Sequence, residues 1–498
     1  MIKVRLLLTG VFSLFLLLPL SAQQVLSLDS CRQLALNNNK QLRVAQLKQE
    51  AARNTRKAMF TKYLPKIDAL GGYEFTSREL SLLNGEQKAV LNNLGTLVGS
   101  QMSSSLPTTF TSLVQQGVIT PQQAVALGNM ARQMGTSVSQ SLNEAGQRIR
   151  KAFETDTRNV FMGSVVLKQP VFMGGGIIAA NKLAELNEQL AEENMEGRLQ
   201  NTLYEVDHAY WTVVSLRQKQ QLAQQYLQLV EKLDSNVYKM ISNGVATRAD
   251  GLQVDVRVNE AQMTLTQVDN GLTLARMFLC QLCGLPMDSA VELLDEMGNV
   301  TESSDLVTDY QVEEAMSHRP ELKMLRTAVD MSEQKTRLER SAYLPQVALT
   351  AGYLVTNPNA FNSYERRFSG MWNVGVMLRV PVWNWMEGTF KVRASKAMTA
   401  MAELELSEAR EKVELQLNQS SFKMKEAAKR LQVAAKNTER AEENLRCANL
   451  GFSEGVMQTT DVMAAQTAWL QARTQEIDAQ IDIRLAHTDL QKALGKLQ

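Results

Sequence analysis

The chain has 498 residues, a formal net charge of +1, 10 prolines and 27 glycines. Its length would suit several ordinary domains, yet no change of composition divides it, so a single elongated architecture is also open. Ala, Gln, Glu, Leu, Lys and Arg dominate, which predicts a mostly helical protein. The balanced charge offers no basic excess for phosphates, which argues against nucleic acid as a partner.

Residues 1–22 read as a signal peptide. Lys3 and Arg5 precede an apolar run that ends at Leu18, and small residues follow it. A membrane anchor is the weaker alternative because this run is short for a hydrocarbon core of about 30 Å. The nearest cysteine, Cys31, lies away from the cleavage site, so we expect an exported chain without a lipid anchor. No later apolar run reaches about 18 residues, so any membrane crossing would have to use strands.

Four stretches of the first half recur, in the same order, in the second half. The matched stretches are LALNNNKQLRVA (34–45) and EAMSHRPELKML (314–325), TKYLPKIDALGGY (61–73) and SAYLPQVALTAGY (341–353), VVLKQPVFMGGG (165–176) and VMLRVPVWNWMEG (376–388), and SNGVATRADGL (242–252) and SEGVMQTTDVM (453–463). The offset falls from 280 residues before the strands to 211 after them, so the first half carries an insert between its strands. Each half reads as helix, strand, strand, long helix, bend and helix.

This repeat predicts how the chain is divided. The predicted segments are the first repeat at 23–285, an acidic, loop-rich linker at 286–310 that packs outside the helices, and the second repeat at 311–498. The predicted strands and bends are strands at about 66–78, 160–169, 346–356 and 371–380, and bends near 244 and 455. The insert spans about 80–158, and a helix is predicted to open at Thr120–Pro121. A tolerated surface loop is favoured for it over a functional lid.

Alternating apolar and polar residues indicate the strands. On the fourth strand, one face carries Trp372, Val374, Val376, Leu378 and Val380. Such a ladder suits a wall with lipid outside and water inside, although an ordinary half-buried sheet gives the same pattern. Helices are expected to end before Pro65 and Pro345, because the residue before a proline is pushed away from helical geometry. Pro170 and Pro381 are expected to end strands where the long helices begin.

Two long helical patterns, about 176–243 and 383–454, follow the strand pairs. At 1.5 Å per residue each is a rod of roughly 100 Å, and its apolar stripes need partner helices, which the bends supply. Four strands are too few for a membrane barrel, which starts at about eight, so a spanning chain must oligomerise. Three copies would give twelve strands and a tube of helices.

With these features in place, the sequence resembles the TolC-like family of outer-membrane efflux and secretion channels. The resemblance rests on two G-x5-D bends and on YLP at 63–65 and 343–345, QPVF at 169–172 and VPVW at 380–383. It implies an α+β, mostly α fold with internal duplication. The homotrimer would form a 12-stranded outer-membrane β-barrel, four strands from each protomer, continuing into a long periplasmic α-helical coiled-coil barrel. It also implies a periplasmic adaptor (membrane fusion) protein and an inner-membrane pump, such as a resistance-nodulation-division transporter, as partners.

Both bends carry residues that end one helix and start another. Gly244 suits a left-handed helix end, and Thr247 with Asp250 forms a capping box for the next helix. Asp250 and Asp461 are expected to cap positive helix ends. Repeated by threefold symmetry at the narrow end of a tunnel, the same acids would form rings that favour cations, and the two roles are compatible.

The resemblance also implies a gate beside the second bend. Asp461 matches one gate acid of the family, and Asp250 matches the acid of the first bend. Phe452, Met457 and Ala464 stand where the family has a tyrosine, an arginine and a second acid. This departure implies a periplasmic constriction that lacks the polar latch and is closed by apolar packing of Phe452 and Met457.

Adaptor docking is likewise implied at the exposed bend residues. The residues that resemble the family's docking grooves are Gly244, Val245, Ala246, Thr247, Gly455 and Val456. Small residues let another helical hairpin approach closely, and a tight turn that needs glycine explains them equally well.

Other residues that suggest chemistry have structural explanations. Cys280 and Cys283 form a CxxC without a second ligand pair, and the repeat places Gln491 and Leu494 opposite them. We therefore expect ordinary positions near a helix end, which an oxidising compartment could still join.

The three histidines, His208, His318 and His487, lie far apart, which argues against a metal cluster or a catalytic triad. Asp207 and His208 are expected to be a solvated helix pair, because no nucleophile accompanies them. Together these residues lead us to expect no enzyme activity, no cofactor and no metal. No phosphate-binding loop occurs, so the energy must come from a partner.

Two functions from different classes fit these features. The leading hypothesis is the outer-membrane channel component of a tripartite efflux pump, a passive export duct for drugs and small molecules. A type I protein-secretion duct is the alternative within that class. The rival is a non-conducting periplasmic coiled-coil scaffold, which would not need amphipathic strand pairs.

Overall fold

The periodic patterns of the sequence fold as helices and strands in the computed structural model, which describes residues 24–77, 83–95, 97, 106–133, 136–153, 158–296, 312–360 and 365–497. The predicted signal peptide lies outside these residues. The chain divides into two compact units. The helical unit is Met1–Met59, Ile178–Arg340 and Met386–Gln498, and the sheet unit is Phe60–Ile177 and Ser341–Trp385.

Helices dominate the described residues, as the composition predicts. The helices are α1 Leu28–Asn38, α2 Lys40–Phe60, α3 Gly85–Asn92, α4 Leu106–Gln115, α5 Pro121–Gln133, α6 Thr136–Ala152, α7 Gly176–Ser242, α8 Arg248–Cys283, α9 Val312–His318, α10 Pro320–Ser341, α11 Glu387–Ser453 and α12 Thr459–Ala493. The strands are β1 Gln24–Leu26, β2 Lys66–Phe75, β3 Asn159–Met173, β4 Val291–Leu293, β5 Gln346–Asn357 and β6 Ser369–Arg379. All four predicted strands are present, and β2 ends at Phe75, short of its predicted end.

The sheet unit is built on four strands in the order β2, β3, β5, β6, and each neighbouring pair is antiparallel. Directly opposed residues share a face of the sheet. One row of opposed residues across the four strands is Ile67, Leu167, Ala351 and Val374. The next row on the other face starts with Lys66, Lys168 and Thr350. The register therefore joins the apolar ladders of separate strands into one continuous apolar face.

Three of the four prolines act as predicted. Helix α2 ends shortly before Pro65 and α10 shortly before Pro345, and β6 ends just before Pro381. The expectation that Pro170 ends its strand is wrong, because β3 continues through it to Met173. Pro170 opposes Ala348, and the register shifts between Pro170 and Phe172. A proline has no N–H for the ladder, so the strand accommodates it at an irregularity instead of ending there.

The described part of the predicted insert is a small helical region with its own core. Its described part contains α3 to α6, and Leu91, Leu113 and Leu142 are buried together. The predicted start of α5 is confirmed. The Thr120 N–H donates to Oε1 of Gln123 at 2.9 Å, and the Gln123 N–H donates to Oγ1 of Thr120 at 3.3 Å.

The helical unit contains two long helical hairpins. Helices α7 and α11 each have 67 residues, which corresponds to rods of about 100 Å. Helices α8 and α12 follow the bends with 36 and 35 residues. Apolar side chains of all four helices form a shared core near the bends, as shown by Val230, Val254, Leu445 and Val462. None of the described helices is both long and apolar enough to cross a membrane.

The internal duplication is visible in the contact between the last helix and the first helix of each repeat. Gly284 follows α8 with a φ of 71°, and a Cβ there would lie 2.5 Å from the Asn38 Cβ. Gly495 follows α12 with a φ of 70°, and a Cβ there would lie 2.9 Å from His318. Asn38 and His318 end the first helix of their repeats, at the 280-residue offset found in the sequence. The same close helix packing thus occurs twice.

The described part of the predicted linker contains a short buried strand. Strand β4 pairs in parallel with β1, and Val291 and Leu293 are buried. Glu296 is buried too, and both of its carboxylate oxygens accept hydrogen bonds from Arg276 at 2.8 and 3.0 Å. This segment therefore packs into the helical unit's core and is not a loop, while its expected place outside the helices stays a prediction. Residues 297–311 lie outside the described range.

Candidate functional site

The first bend is built by backbone hydrogen bonds at the end of α7. Gly244 lies in the left-handed region with a φ of 74°. Its N–H donates to the Ile241 carbonyl at 3.0 Å, and the Val245 N–H donates to the Met240 carbonyl at 2.9 Å. These two bonds form a Schellman motif, which ends a helix and satisfies its last carbonyl groups. The predicted left-handed glycine is confirmed.

The second bend repeats this geometry at the end of α11. Gly455 has a φ of 73°. Its N–H donates to the Phe452 carbonyl at 3.1 Å, and the Val456 N–H donates to the Gly451 carbonyl at 2.8 Å. The two bends therefore have the same turn geometry.

Each bend is followed by a helix that an aspartate caps. The Asp250 carboxylate accepts hydrogen bonds from the Thr247 N–H at 2.9 Å and the Thr247 hydroxyl at 2.7 Å. These bonds lower the pKa of Asp250 below its ordinary value. The Asp461 carboxylate accepts a bond from the Gln458 N–H at 3.0 Å. The predicted capping role of both acids is confirmed, while the charge-ring role stays a prediction.

The outer surface of both bends is exposed, and no other atoms crowd its glycines. Val245 keeps 71% of its surface and Val456 keeps 80%. A Cβ at Gly244 or Gly455 would have no atom within 4 Å. The bends thus offer apolar side chains beside open backbone, which is the chemistry that the docking prediction requires.

Phe452 and Met457 pack inside the chain. Phe452 is 8% exposed and lies in a cluster with Val462 and Trp469. Met457 is half-buried against Gly451, where a Cβ would lie 2.8 Å from the Met457 Cγ. Packing within one protomer explains why these positions are apolar, and a role in the constriction stays a prediction.

A polar contact near the first bend was missed by the sequence reasoning. The Tyr238 hydroxyl donates to Oδ2 of Asp255 at 2.8 Å. Asp234 lies nearby, its Oδ1 is buried without a hydrogen-bond partner, and burial together with Asp255 raises its pKa. Tyr238 lies eight residues before Ala246, and Asp255 lies eight residues after Thr247. Their equal distance from the bend is the sequence signal that could have predicted this contact.

The structure corrects the expectation that Asp207 and His208 form a solvated helix pair. It is fully buried, and it accepts bonds from Arg32 Nε at 2.8 Å and Nη2 at 2.6 Å. The Thr488 hydroxyl donates to it at 3.3 Å. Asp207 is therefore not solvated, and it connects α1, α7 and α12. Its neighbour His208 is half-buried, with Nε2 3.4 Å from Asp489.

The other candidate sites hold no catalytic grouping. His318 Nδ1 lies 2.8 Å from the Glu314 carbonyl in its own helix. Cys280 and Cys283 are buried at the end of α8, as predicted, and Cys31 lies in the same core, which was not predicted. Within the described ranges, no group of three or more His, Cys, Asp or Glu side chains could hold a metal ion.

Comparison with known proteins gives one family. A family model described as outer membrane efflux protein matches residues 31–285 and 312–496. The chain is 23% identical over 342 residues to the alkaline protease secretion protein AprF of Pseudomonas aeruginosa, covering 68% of this chain and 70% of AprF. It is 23% identical over 358 residues to the outer membrane efflux protein BepC of Brucella suis biovar 1, covering 69% of this chain and 74% of BepC.

The fold also matches solved structures. The Campylobacter jejuni CmeC outer membrane channel superposes with a TM-score of 0.70 at 13% identity, covering 95% of this chain and 86% of that one. At this level of identity, the match shows a shared fold.

Proposed function

This chain belongs to the outer membrane efflux protein family, and from that premise we propose that it is the trimeric channel of a tripartite pump that exports small molecules. The chain is an outer-membrane duct of the efflux class. The finer proposal is that three copies form the duct, that the bends dock a periplasmic adaptor protein, and that an inner-membrane transporter drives the cargo. The duct itself performs no reaction.

The observation that carries this proposal is the open sheet of the sheet unit. Within the part of the chain that the structure describes, its outer strands, β2 and β6, each have a neighbouring strand on one side only. Every residue of β2 and nearly every residue of β6 is exposed. Unpaired backbone groups in lipid cost several kcal/mol each, so such edges must be paired in a membrane. The continuous apolar face supports a wall that faces lipid on one side.

Pairing the two edges supports a homotrimer. When β2 of one copy pairs with β6 of the next, unlike edges meet, so the contact is heterologous and can close into a ring. Two copies would give eight strands, and the interior of an eight-stranded barrel is filled by side chains. Three copies give twelve strands, which leaves room for a channel.

Two neighbouring residues of β6 test which face meets lipid. Val374 lies on the apolar face, and Asn373 lies on the other face. Val374→Lys should abolish the cross-linked trimer in outer-membrane extracts, because a lysine in lipid costs about 2–4 kcal/mol near the midplane. Asn373→Lys, the matched control, should assemble normally and alter ion conductance. Equal effects of both changes, or a water-soluble wild-type monomer, would favour the rival scaffold.

Docking of the adaptor at the bends rests on the exposed valines. Val245→Glu and Val456→Glu place a charge where a helical hairpin would approach, and both should reduce chemical cross-linking to the adaptor in whole cells. Val245→Ala and Val456→Ala keep the surface apolar and serve as controls. If the glutamate variants cross-link as wild type does, adaptor docking at these valines is wrong.

The charge ring can be separated from the capping role by one substitution. Asp461→Asn removes the charge and keeps an oxygen that accepts the Gln458 N–H bond. We expect cation selectivity in planar bilayers to fall while the helix remains capped. Unchanged selectivity would leave Asp461 as a capping residue alone.

The choice of cargo rests on the relatives' printed functions. BepC is named as an efflux protein, which supports small molecules. AprF is named for alkaline protease secretion, which supports type I secretion as the second candidate. Deletion of the gene should increase drug susceptibility and leave secreted proteins unchanged. The opposite result would favour protein secretion.

A further inference from the structure

Three of the four cysteines lie together in the core of the helical unit. Cys31 and Cys283 have no exposed surface, and Cys280 has 1%. All are unpaired thiols in this structure. The Cys283 Sγ lies 3.6 Å from the Cys31 carbonyl oxygen, although the two residues are 252 positions apart in the chain.

The backbone around this pair is held in place on both sides. The Asn38 side-chain amide donates to the Cys283 carbonyl at 3.5 Å, and the Asn39 amide donates to the Leu282 carbonyl at 3.3 Å. These bonds fix α1 against the last turn of α8. A disulfide needs its two Cβ atoms about 3.5–4.5 Å apart, and these bonds keep the two cysteine-bearing segments in contact.

The alternative pair within α8 fits less well. Cys280 and Cys283 are three positions apart in a regular helix. The Cβ atoms of such residues are about 5–6 Å apart, so a bond between them would require the helix end to unwind. The Leu285 N–H donates to the Cys280 carbonyl at 2.8 Å, and this bond would be strained or lost. The second repeat has Leu494 opposite Cys283, so the repeated fold does not require a sulfur there.

We propose that Cys31 and Cys283 form a disulfide bond that fastens α1 to the end of α8. This inference rests on the proposed function, because an outer-membrane duct folds in an oxidising compartment. Its cross-link would close a loop of 252 residues around the first repeat.

The bond forms by exchange with a disulfide-carrying thiol oxidoreductase. One cysteine thiolate attacks the oxidoreductase disulfide, and the other then displaces it from the mixed disulfide. The chain loses two electrons and two protons and gains one S–S bond, while the oxidoreductase is reduced to a dithiol. Both thiols lie without exposed surface in the folded chain, where an oxidoreductase cannot reach them. The exchange therefore takes place before α1 packs against α8.

Thiol counting in the full-length protein tests this directly. Cells are quenched with a thiol-alkylating reagent, and the protein is extracted from outer membranes and denatured without reductant. We expect two of the four cysteines to be alkylated before reduction and all four after it. Peptide mapping without reductant should join the peptide of Cys31 to that of Cys283.

Alanine variants assign the bond. Cys31→Ala and Cys283→Ala should each leave three free thiols, whereas Cys280→Ala should leave one. Dithiothreitol should lower the melting temperature of the wild type and leave that of Cys31→Ala unchanged. Four reactive thiols in the wild type, or a bond between Cys280 and Cys283, would overturn the proposal. A conducting trimer with four free thiols would overturn the proposed disulfide and leave the proposed function standing. A protein with the Cys31–Cys283 bond that does not conduct would overturn the proposed function and leave the disulfide standing.

Discussion

Replacing Arg32 by methionine is expected to destabilise the helical unit by about 3 kcal/mol. Removing one partner of a buried ion pair costs about 3–5 kcal/mol, because the other charge remains buried without compensation. Asp207 has no exposed side-chain surface, whereas Arg32 keeps 23% of its own. Water can therefore reach part of the site, which places the cost at the low end of that range. The Thr488 hydroxyl, at 3.3 Å, cannot neutralise the carboxylate.

The assay is urea unfolding of the detergent-solubilised protein, followed by far-ultraviolet circular dichroism at fixed protein concentration. Fixed concentration is needed because oligomerisation changes apparent stability. The control is Arg32→Met with Asp207→Leu, which replaces the pair by apolar side chains and should restore stability to near the wild-type value. The reasoning would be refuted if Arg32→Met cost less than about 1 kcal/mol, or if the double variant cost as much as the single one.

Two further predictions concern the bends and the closing contacts. Gly284→Ala should destabilise the protein more than Gly244→Ala does, because both glycines have positive φ but only the Gly284 Cβ would collide with Asn38; melting temperatures of the two variants check this. Asp234→Asn should stabilise the first hairpin at neutral pH, because the pKa of Asp234 is raised by burial and by Asp255. A carboxyl group with a raised pKa contributes stability that is present at low pH and lost as pH rises through that pKa. The gain of Asp234→Asn should therefore be small in acid and grow toward pH 7, and an equal gain at all pH values would contradict it.

Local chemistry explains what could be predicted from the sequence. The bends at Gly244 and Gly455 depend on a left-handed residue and a cap within a few positions, so their signals are contiguous in the chain. The strands were found because their apolar faces repeat every second residue. Thr120 predicts the start of its helix because a capping residue directly before a proline is also a contiguous signal.

The missed features depend on residues that are distant in the chain. Arg32 and Asp207 are 175 positions apart, and Cys31 and Cys283 are 252 apart. No periodicity encodes such contacts, so the sequence pattern predicts a solvated Asp207. Strand β1 has three residues, which is too short for an alternating pattern to show. The sequence predicts too early an end for β3, because a bulge lets a strand continue past Pro170 and local sequence does not distinguish a bulge from a strand end.

Whether this protein is a duct is tested by the conductance of the purified full-length protein in planar lipid bilayers. A trimeric duct should give stepwise currents from a species whose mass in detergent is that of three chains. Its conductance should also change when a lysine replaces Asn373 on the face opposite the apolar ladder. A trimer that inserts into the bilayer and carries no current in any condition would contradict the account and leave a scaffold.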